Sequence, residues 1–87
     1  MCLESGRPRE ALAEFGRALA LAPRDPRALN NRGTALAALG QTEAARRDFE
    51  RALEADPCLF EARLNLRQGP GAGCRYTPEQ QRALTGR

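Results

Sequence analysis

The feature that most constrains this chain is a recurrence of residue types at a spacing of 34 positions. A glycine, an alanine, a phenylalanine, an Ala-Leu pair and a proline each reappear one period later. The matched pairs are Gly6 and Gly40, Ala11 and Ala45, Phe15 and Phe49, Ala18-Leu19 and Ala52-Leu53, and Pro23 and Pro57. Six agreements at one offset indicate a repeat architecture, in which each unit is stabilised by stacking on its neighbours.

One complete unit spans residues 26–59 and is predicted to form two helices joined by a tight turn. Its apolar and small residues recur at helical spacing. In the first helix these are Leu29, Gly33, Leu36 and Leu39, and in the second they are Ala45, Phe49, Ala52 and Leu53. Residues 40–42 form the break, and Pro57 ends the second helix because a residue before proline disfavours the α region. Small residues at Gly33 and Ala45 predict a close approach of the helices, with Leu36 and Phe49 filling the seam.

This unit resembles a tetratricopeptide repeat (TPR), a pair of helices, A and B, of about 34 residues. The resemblance rests on Leu29, Gly33, Leu36 and Gly40 in helix A, and on Ala45, Phe49, Ala52-Leu53 and Pro57 in helix B. Two positions depart from the pattern: Leu29 replaces the usual aromatic residue, and Arg32 stands where leucine is common. The resemblance implies an all-α solenoid of antiparallel helix pairs, with about one full repeat between two half repeats.

The sequence divides into three segments. Residues 1–68 are predicted to form the repeats, with helices at about 8–22, 26–39, 42–55 and 59–68, and with Thr42 as the N-cap of the third. Residues 69–76 are a Gly/Pro-rich linker. Residues 77–87 are predicted to form a short capping helix or a connector, because Thr77 and Gln80 are spaced as a capping box.

The first half repeat is incomplete on its N-terminal side. Residues 1–5 correspond to the last turn of a helix A, so the apolar face of the following helix, at Leu12, Phe15 and Leu19, lacks most of its partner. Three explanations remain open. The chain is a fragment of a longer array, or a product that starts at an internal methionine, or self-association covers this face.

Amino-acid composition narrows the fold class and the classes of function that the chain can have. Valine, isoleucine and tryptophan are absent, and abundant alanine and leucine favour helix over sheet. All 14 basic residues are arginine, but the net charge is only +3 and no basic run exceeds two residues. This pattern favours an ordinary solvated surface over nucleic-acid binding. No apolar stretch approaches the length of a membrane span.

The three cysteines, Cys2, Cys58 and Cys74, are widely spaced and odd in number. Without a CxxC motif or any histidine they predict no metal site, and we expect free thiols in a reducing cytoplasm.

The GPGAG segment at residues 69–73 lacks the Lys-Ser/Thr of a phosphate-binding loop, so no cofactor is expected. No nucleophile and base can be combined from these residues, so the chain is not expected to be an enzyme.

The resemblance implies a protein–protein interaction module whose concave face is lined by the A helices. On the helix at 26–39, the face that does not pack on helix B carries a polar stripe of Arg27, Asn30, Asn31, Thr34 and Ala38. An asparagine both donates and accepts hydrogen bonds, which suits binding of an extended peptide backbone. The stripe is therefore the candidate binding site for a protein or peptide partner, and an ordinary solvated face is the alternative.

Further resemblances bear on two more specific functions. The pair Asn31-Arg32 is similar to repeats that clamp the C-terminal carboxylate of chaperones. The next helix A carries Glu61 and Asn65 where that clamp needs basic residues, so chaperone-tail binding is not expected. The YTPE turn is similar to connectors in bacterial proteins in which such an array precedes a sulfotransferase domain. A fragment of a larger bacterial enzyme is thus the alternative function.

Overall fold

A computed structural model describes residues 7–86 and shows five α-helices and no strand in that part of the chain. The helices are α1 (Pro8–Leu21), α2 (Pro26–Ala38), α3 (Thr42–Ala55), α4 (Phe60–Leu66) and α5 (Pro78–Thr85). Each helix packs on the next along the chain, and α2 with α3 forms the largest of these contacts. The predicted all-α fold is confirmed. The helical turn expected at residues 1–5 lies outside the described residues.

The helices repeat with the period of the sequence. Helices α1 and α3 begin at Pro8 and Thr42, and α2 and α4 begin at Pro26 and Phe60, in both cases 34 positions apart. Helices α1 and α3 are therefore equivalent B helices, and α2 and α4 are equivalent A helices. Helix α4 has only 7 residues where α2 has 13, so it lacks the last six residues of an A helix.

Both ends of α2 are closed by local hydrogen bonds. The side chain of Asp25 accepts from the backbone N–H groups of Arg27 at 3.0 Å and Ala28 at 3.4 Å. At the other end Gly40 takes a left-handed φ of 83°, and the N–H of Gln41 donates to the carbonyl of Leu36 at 2.9 Å. This is a Schellman motif, which satisfies carbonyls that the end of a helix leaves unpaired.

The caps of the other helices match the sequence predictions only in part. The expected N-cap at Thr42 is wrong, because Gln41 occupies the cap position, makes no side-chain capping bond, and leaves Thr42 as the first helical residue. The capping box of α5 is confirmed. The N–H of Gln80 donates to the Thr77 hydroxyl at 3.1 Å, and the N–H of Thr77 donates to the Gln80 side chain at 3.0 Å.

A close contact between α2 and α3 forms the centre of the full repeat. A Cβ atom added at Gly33 would lie 2.6 Å from Cε1 of Phe49 and 3.1 Å from the carbonyl oxygen of Ala45. Phe49 and Ala45 are themselves buried. An added side chain would displace the Phe49 ring, so the predicted close approach of the helices at Gly33 and Ala45 is confirmed. A second cluster joins α1 to α4 through the repeat, formed by Leu19, Ala28, Leu29, Ala52, Leu59 and Ala62.

An ion pair also ties α2 to α3. Arg32 donates from Nε to Oδ2 of Asp48 at 2.7 Å and from Nη2 to Oδ1 at 2.9 Å. The Asp48 side chain is 5% exposed, whereas that of Arg32 is 28% exposed. The bidentate geometry gives both carboxylate oxygens a donor, which a buried carboxylate requires. The residue that departs from the family pattern at position 32 therefore has a structural partner of its own.

The segment after α4 is tied back to the start of that helix. A disulfide joins Cys58 to Cys74, with Cα atoms 5.5 Å apart across 16 positions of sequence. The prediction of free thiols is therefore wrong for these two cysteines, while Cys2 lies outside the described residues. The two cysteines meet because α4 is only about 10 Å long and the connector reverses after it. Disulfides persist mainly in oxidising compartments, so the expectation of a cytoplasmic location loses the support of free thiols.

Helix α5 packs on α4, and its Leu84 is buried. Within residues 7–86 none of the helices is both long and apolar enough to cross a lipid bilayer.

The seam predicts a strong effect of bulk at Gly33. We expect Gly33→Leu to lower the free energy of unfolding by about 1–3 kcal/mol, because the side chain must enter the space held by Phe49. In a domain of this size that corresponds to a fall in melting temperature of roughly 4 °C or more, measured by circular dichroism. The matched control is Gly16→Leu in α1, where an added Cβ meets nothing within 4 Å. Equal melting of the two variants would contradict the seam.

The ion pair predicts a rescue. Asp48→Ala should cost about 1–3 kcal/mol, less than a fully buried pair because part of Arg32 stays hydrated. Replacing both partners with leucine should restore the free energy of unfolding to within about 1 kcal/mol of the wild type. Neither helix then carries a desolvated charge that needs a partner. Chemical denaturation of the single and double variants measures both values. A double variant no more stable than Asp48→Ala would show that packing, not the unpaired charge, sets the loss.

Candidate partner-binding surface

The stripe predicted on α2 is largely open to solvent. Arg27, Asn31, Thr34 and Ala38 are exposed along one side of the helix. Asn30 is the exception, since it is only 5% exposed, and its predicted place on the open surface is corrected. We use the name α2 stripe below for the four exposed residues. Asn30 cannot offer its amide to a partner without breaking an internal contact.

That internal contact joins neighbouring A helices. The side-chain N–H of Asn65 in α4 donates to Oδ1 of Asn30 at 3.0 Å. The backbone carbonyl of Asn30 also accepts from the Thr34 hydroxyl at 3.1 Å. Asn30 is thus a positioning residue, because its buried oxygen has a partner that holds α2 and α4 in register. Asn65 is 35 positions away in the next A helix, so the local sequence around Asn30 gave no signal of the contact.

The stripe forms one wall of a cleft between α1 and α2. The cleft has a volume of about 340 Å³. From α2 it is lined by Asn31, Thr34, Ala35 and Ala38, and from α1 by Arg7, Pro8, Ala11 and Phe15. Asn31 and Thr34 on one wall thus face the apolar side chains of Pro8, Ala11 and Phe15 on the other, beside the exposed Arg7. This combination suits a peptide segment, whose backbone needs hydrogen bonds and whose side chains need apolar contact. Arg27 lies outside this cleft, nearer the start of α2.

The charges near the stripe are divided between structure and surface. Arg32 follows Asn31 but points into the α2–α3 seam, where its hydrogen bonds to Asp48 raise the pKa of the guanidinium despite partial burial. Arg32 is therefore a structural cation. Arg27 is exposed and makes none of the ion pairs found among residues 7–86. Of the two arginines in α2, Arg27 is therefore the more exposed one.

The buried Asp48 on the facing helix α3 was not predicted from the sequence. Asp48 lies on the same face of α3 as Ala45, Phe49 and Ala52, which is the buried face. A carboxylate on an apolar face requires a cation on the helix that packs there, and Arg32 is the unusual residue on that helix. The two departures from the apolar pattern explain each other.

In the described part of the chain, no three acidic, cysteine or histidine side chains converge as a metal site requires.

Comparison with known proteins agrees with this geometry. A sequence model of the tetratricopeptide repeat matches residues 2–70, which is well over half of the 87-residue chain. No curated protein and no solved structure gives a significant match. The match covers α1 to α4 and ends before α5. With its 34-residue period and its glycine seam, the chain belongs to the tetratricopeptide repeat family.

Proposed function

We propose that this chain binds an extended or helical segment of a partner protein along the α2 stripe. Repeats of this family in general mediate contacts between proteins, and the proposal assigns such a contact to one surface of this chain. The observation that carries the proposal is the cleft between α1 and α2. There the exposed Asn31 and Thr34 face Ala11 and Phe15 across about 340 Å³.

The stripe is held in place before any partner arrives. Asp25 and Gly40 close the two ends of α2, and the Arg32–Asp48 pair fixes its inner face on α3. The Asn30–Asn65 hydrogen bond sets its position against α4. A rigid binding surface loses little conformational entropy on association, which favours affinity from a small contact.

The size of the cleft limits the expected affinity. A stable, specific interface usually buries about 800 Å² on each partner. The α2 stripe offers less than that along a single exposed helix, so we expect weak binding that a longer array or a second contact would strengthen.

The alternative in which the chain is part of a larger bacterial enzyme stays a prediction. So does self-association through α1, whose Leu12 and Phe15 are half-buried and whose Leu21 is 90% exposed. Neither is required by the geometry of the α2 stripe.

The proposal predicts that two changes on the stripe abolish partner binding. Arg27→Glu with Asn31→Ala should remove the exposed charge and the exposed amide while leaving the helix content unchanged, because neither side chain packs in the core. Affinity capture with quantitative mass spectrometry, using the wild type and this double variant as baits, should show the loss of at least one specific partner. Titration of that purified partner into both proteins should then confirm a loss of about tenfold or more in affinity.

The control for this experiment is Arg47→Glu, which changes charge on the exposed outer face of α3. It should leave capture and affinity unchanged. If Arg47→Glu abolished binding and the stripe variant retained it, the partner would use the outer face, and the proposed site would be wrong.

A further inference from the structure

Helix α4 ends two turns before its counterpart α2. One period after Ala38 is position 72, but α4 ends at Leu66. Arg67 takes a left-handed φ of 56°, and the N–H of Gln68 donates to the carbonyl of Arg63 at 3.1 Å. This Schellman-type ending is normally made by glycine, and Pro70 shortly after it cannot continue a helix.

The missing turns leave an open groove of about 510 Å³. We name it the truncation groove. It is lined by the second half of α2 (Thr34, Ala37), the first half of α3 (Thr42, Ala45, Arg46, Phe49) and the end of α4 (Asn65, Leu66, Arg67). Only Thr34 is shared with the α2 stripe, so this is a second concave surface.

The preceding repeat shows what belongs in such a groove. There, Pro8, Ala11 and Phe15 of α1 line a cleft together with the second half of α2. Their equivalents one period later, Thr42, Ala45 and Phe49, line the truncation groove. By this equivalence, the groove lies where the second half of an A helix would pack if α4 were as long as α2.

The chain after α4 is held away from this groove. The Cys58–Cys74 disulfide anchors the connector beside the start of α4, at the end opposite the groove. Arg63 reinforces this by donating to the carbonyls of Pro57 at 2.7 Å and Gly69 at 3.2 Å. A Cβ atom on Gly71 would lie 3.1 Å from the Pro57 carbonyl, so the connector passes close to that turn. Residues 69–73 are also too rich in glycine and proline to form the missing helical turns.

The lining defines the chemistry of an occupant. Ala37 and the half-buried Leu66 offer small or apolar contacts above a floor formed by the buried Ala45 and Phe49, which suits a helix with small apolar residues on one face. Among the lining arginines, Arg46 already pairs with Glu43 at 2.9 Å. Arg67 makes none of the ion pairs found within residues 7–86, and no carboxylate lines the groove.

Arg67 stands where an inserted helix that continued the direction of α4 would begin. An acidic residue in the first turn of that helix would pair with Arg67. It would also stabilise its own helix, because the N-terminus of a helix favours negative charge.

We propose that the truncation groove binds a short helix of another protein, about two turns long, which completes the interrupted A helix. Its inner face carries small apolar residues against Ala37 and Leu66, and its first turn carries an aspartate or glutamate against Arg67. This surface goes beyond the α2 stripe and does not depend on it.

A peptide probe tests the proposal. The chain's own residues 33–39, GTALAAL, give the inner face of an A-helix second half. The probe places this sequence after an Asp-Glu-Glu first turn, inside a lactam-stapled helix with blocked ends and a fluorescent label. Binding is followed by anisotropy up to about 1 mM protein, since a two-turn contact is expected to be weak. A control peptide with Asn-Gln-Gln in the first turn should bind about two- to fivefold less tightly.

Three variants identify the site. Ala37→Gln adds bulk to an exposed wall of the groove and should weaken probe binding by about fivefold or more. Arg67→Gly removes the charge at a position whose left-handed backbone favours glycine, so the fold is retained and the preference for the acidic probe should disappear. Arg67→Lys keeps the charge and should keep that preference.

The outcomes separate this proposal from the α2 stripe. The double change Arg27→Glu with Asn31→Ala should leave probe binding unchanged. No binding of the helical probe at the highest concentration, or binding unaffected by Ala37→Gln, would overturn the proposal. Concentration-dependent dimerisation that Ala37→Gln abolishes would identify a second copy of the chain as the occupant and would overturn a partner helix.

Discussion

The contact on which the rest of the structure depends is the meeting of Gly33 with Phe49 and Ala45. It sets the distance between α2 and α3, since any side chain at Gly33 would occupy the space of the Phe49 ring. Arg32 directly precedes Gly33, and Asp48 directly precedes Phe49. The same contact therefore brings Arg32 opposite Asp48. The close helix pair thereby holds the Arg32–Asp48 ion pair beside the buried ring of Phe49.

We expect local stability to decrease from the full repeat towards the C-terminus, where the structure adds local links. Helix α4 is only two turns long, too short to be stable without tertiary support. Its start is tied to the connector by the Cys58–Cys74 disulfide and by two hydrogen bonds from Arg63. The rings of Phe60 and Tyr76 also lie near each other, with centroids 6.5 Å apart. These links end the array at α4 and leave the truncation groove uncovered.

Much of the fold could be predicted because it depends on local sequence and on period. The full repeat needed only Gly33, Ala45, Phe49 and Pro57, and the ends of its helices fell within one residue of the prediction. The capping box at Thr77 was equally local. Asp25 was missed as a cap, although aspartate before a proline is a common start of a helix.

The wrong predictions concern residues whose surroundings depend on contacts with distant parts of the chain. Nothing local distinguishes Asn30 from Asn31, and only the neighbouring A helix, through Asn65, makes one buried and the other exposed. Cysteine spacing likewise could not show that the connector returns to Pro57, because that path depends on the early end of α4. The α2 stripe was therefore predicted in outline, while the truncation groove required the structure.

Native-state hydrogen exchange followed by NMR tests most directly whether the α2–α3 seam is the unit on which the remainder depends. We expect the slowest-exchanging amides in α2 and α3, including those of Leu36 and Phe49, with exchange at the rate of global unfolding. Amides of α5 should exchange faster, through local opening. Slowest exchange in α4 and α5, with early opening of α2 or α3, would contradict the central role of the seam.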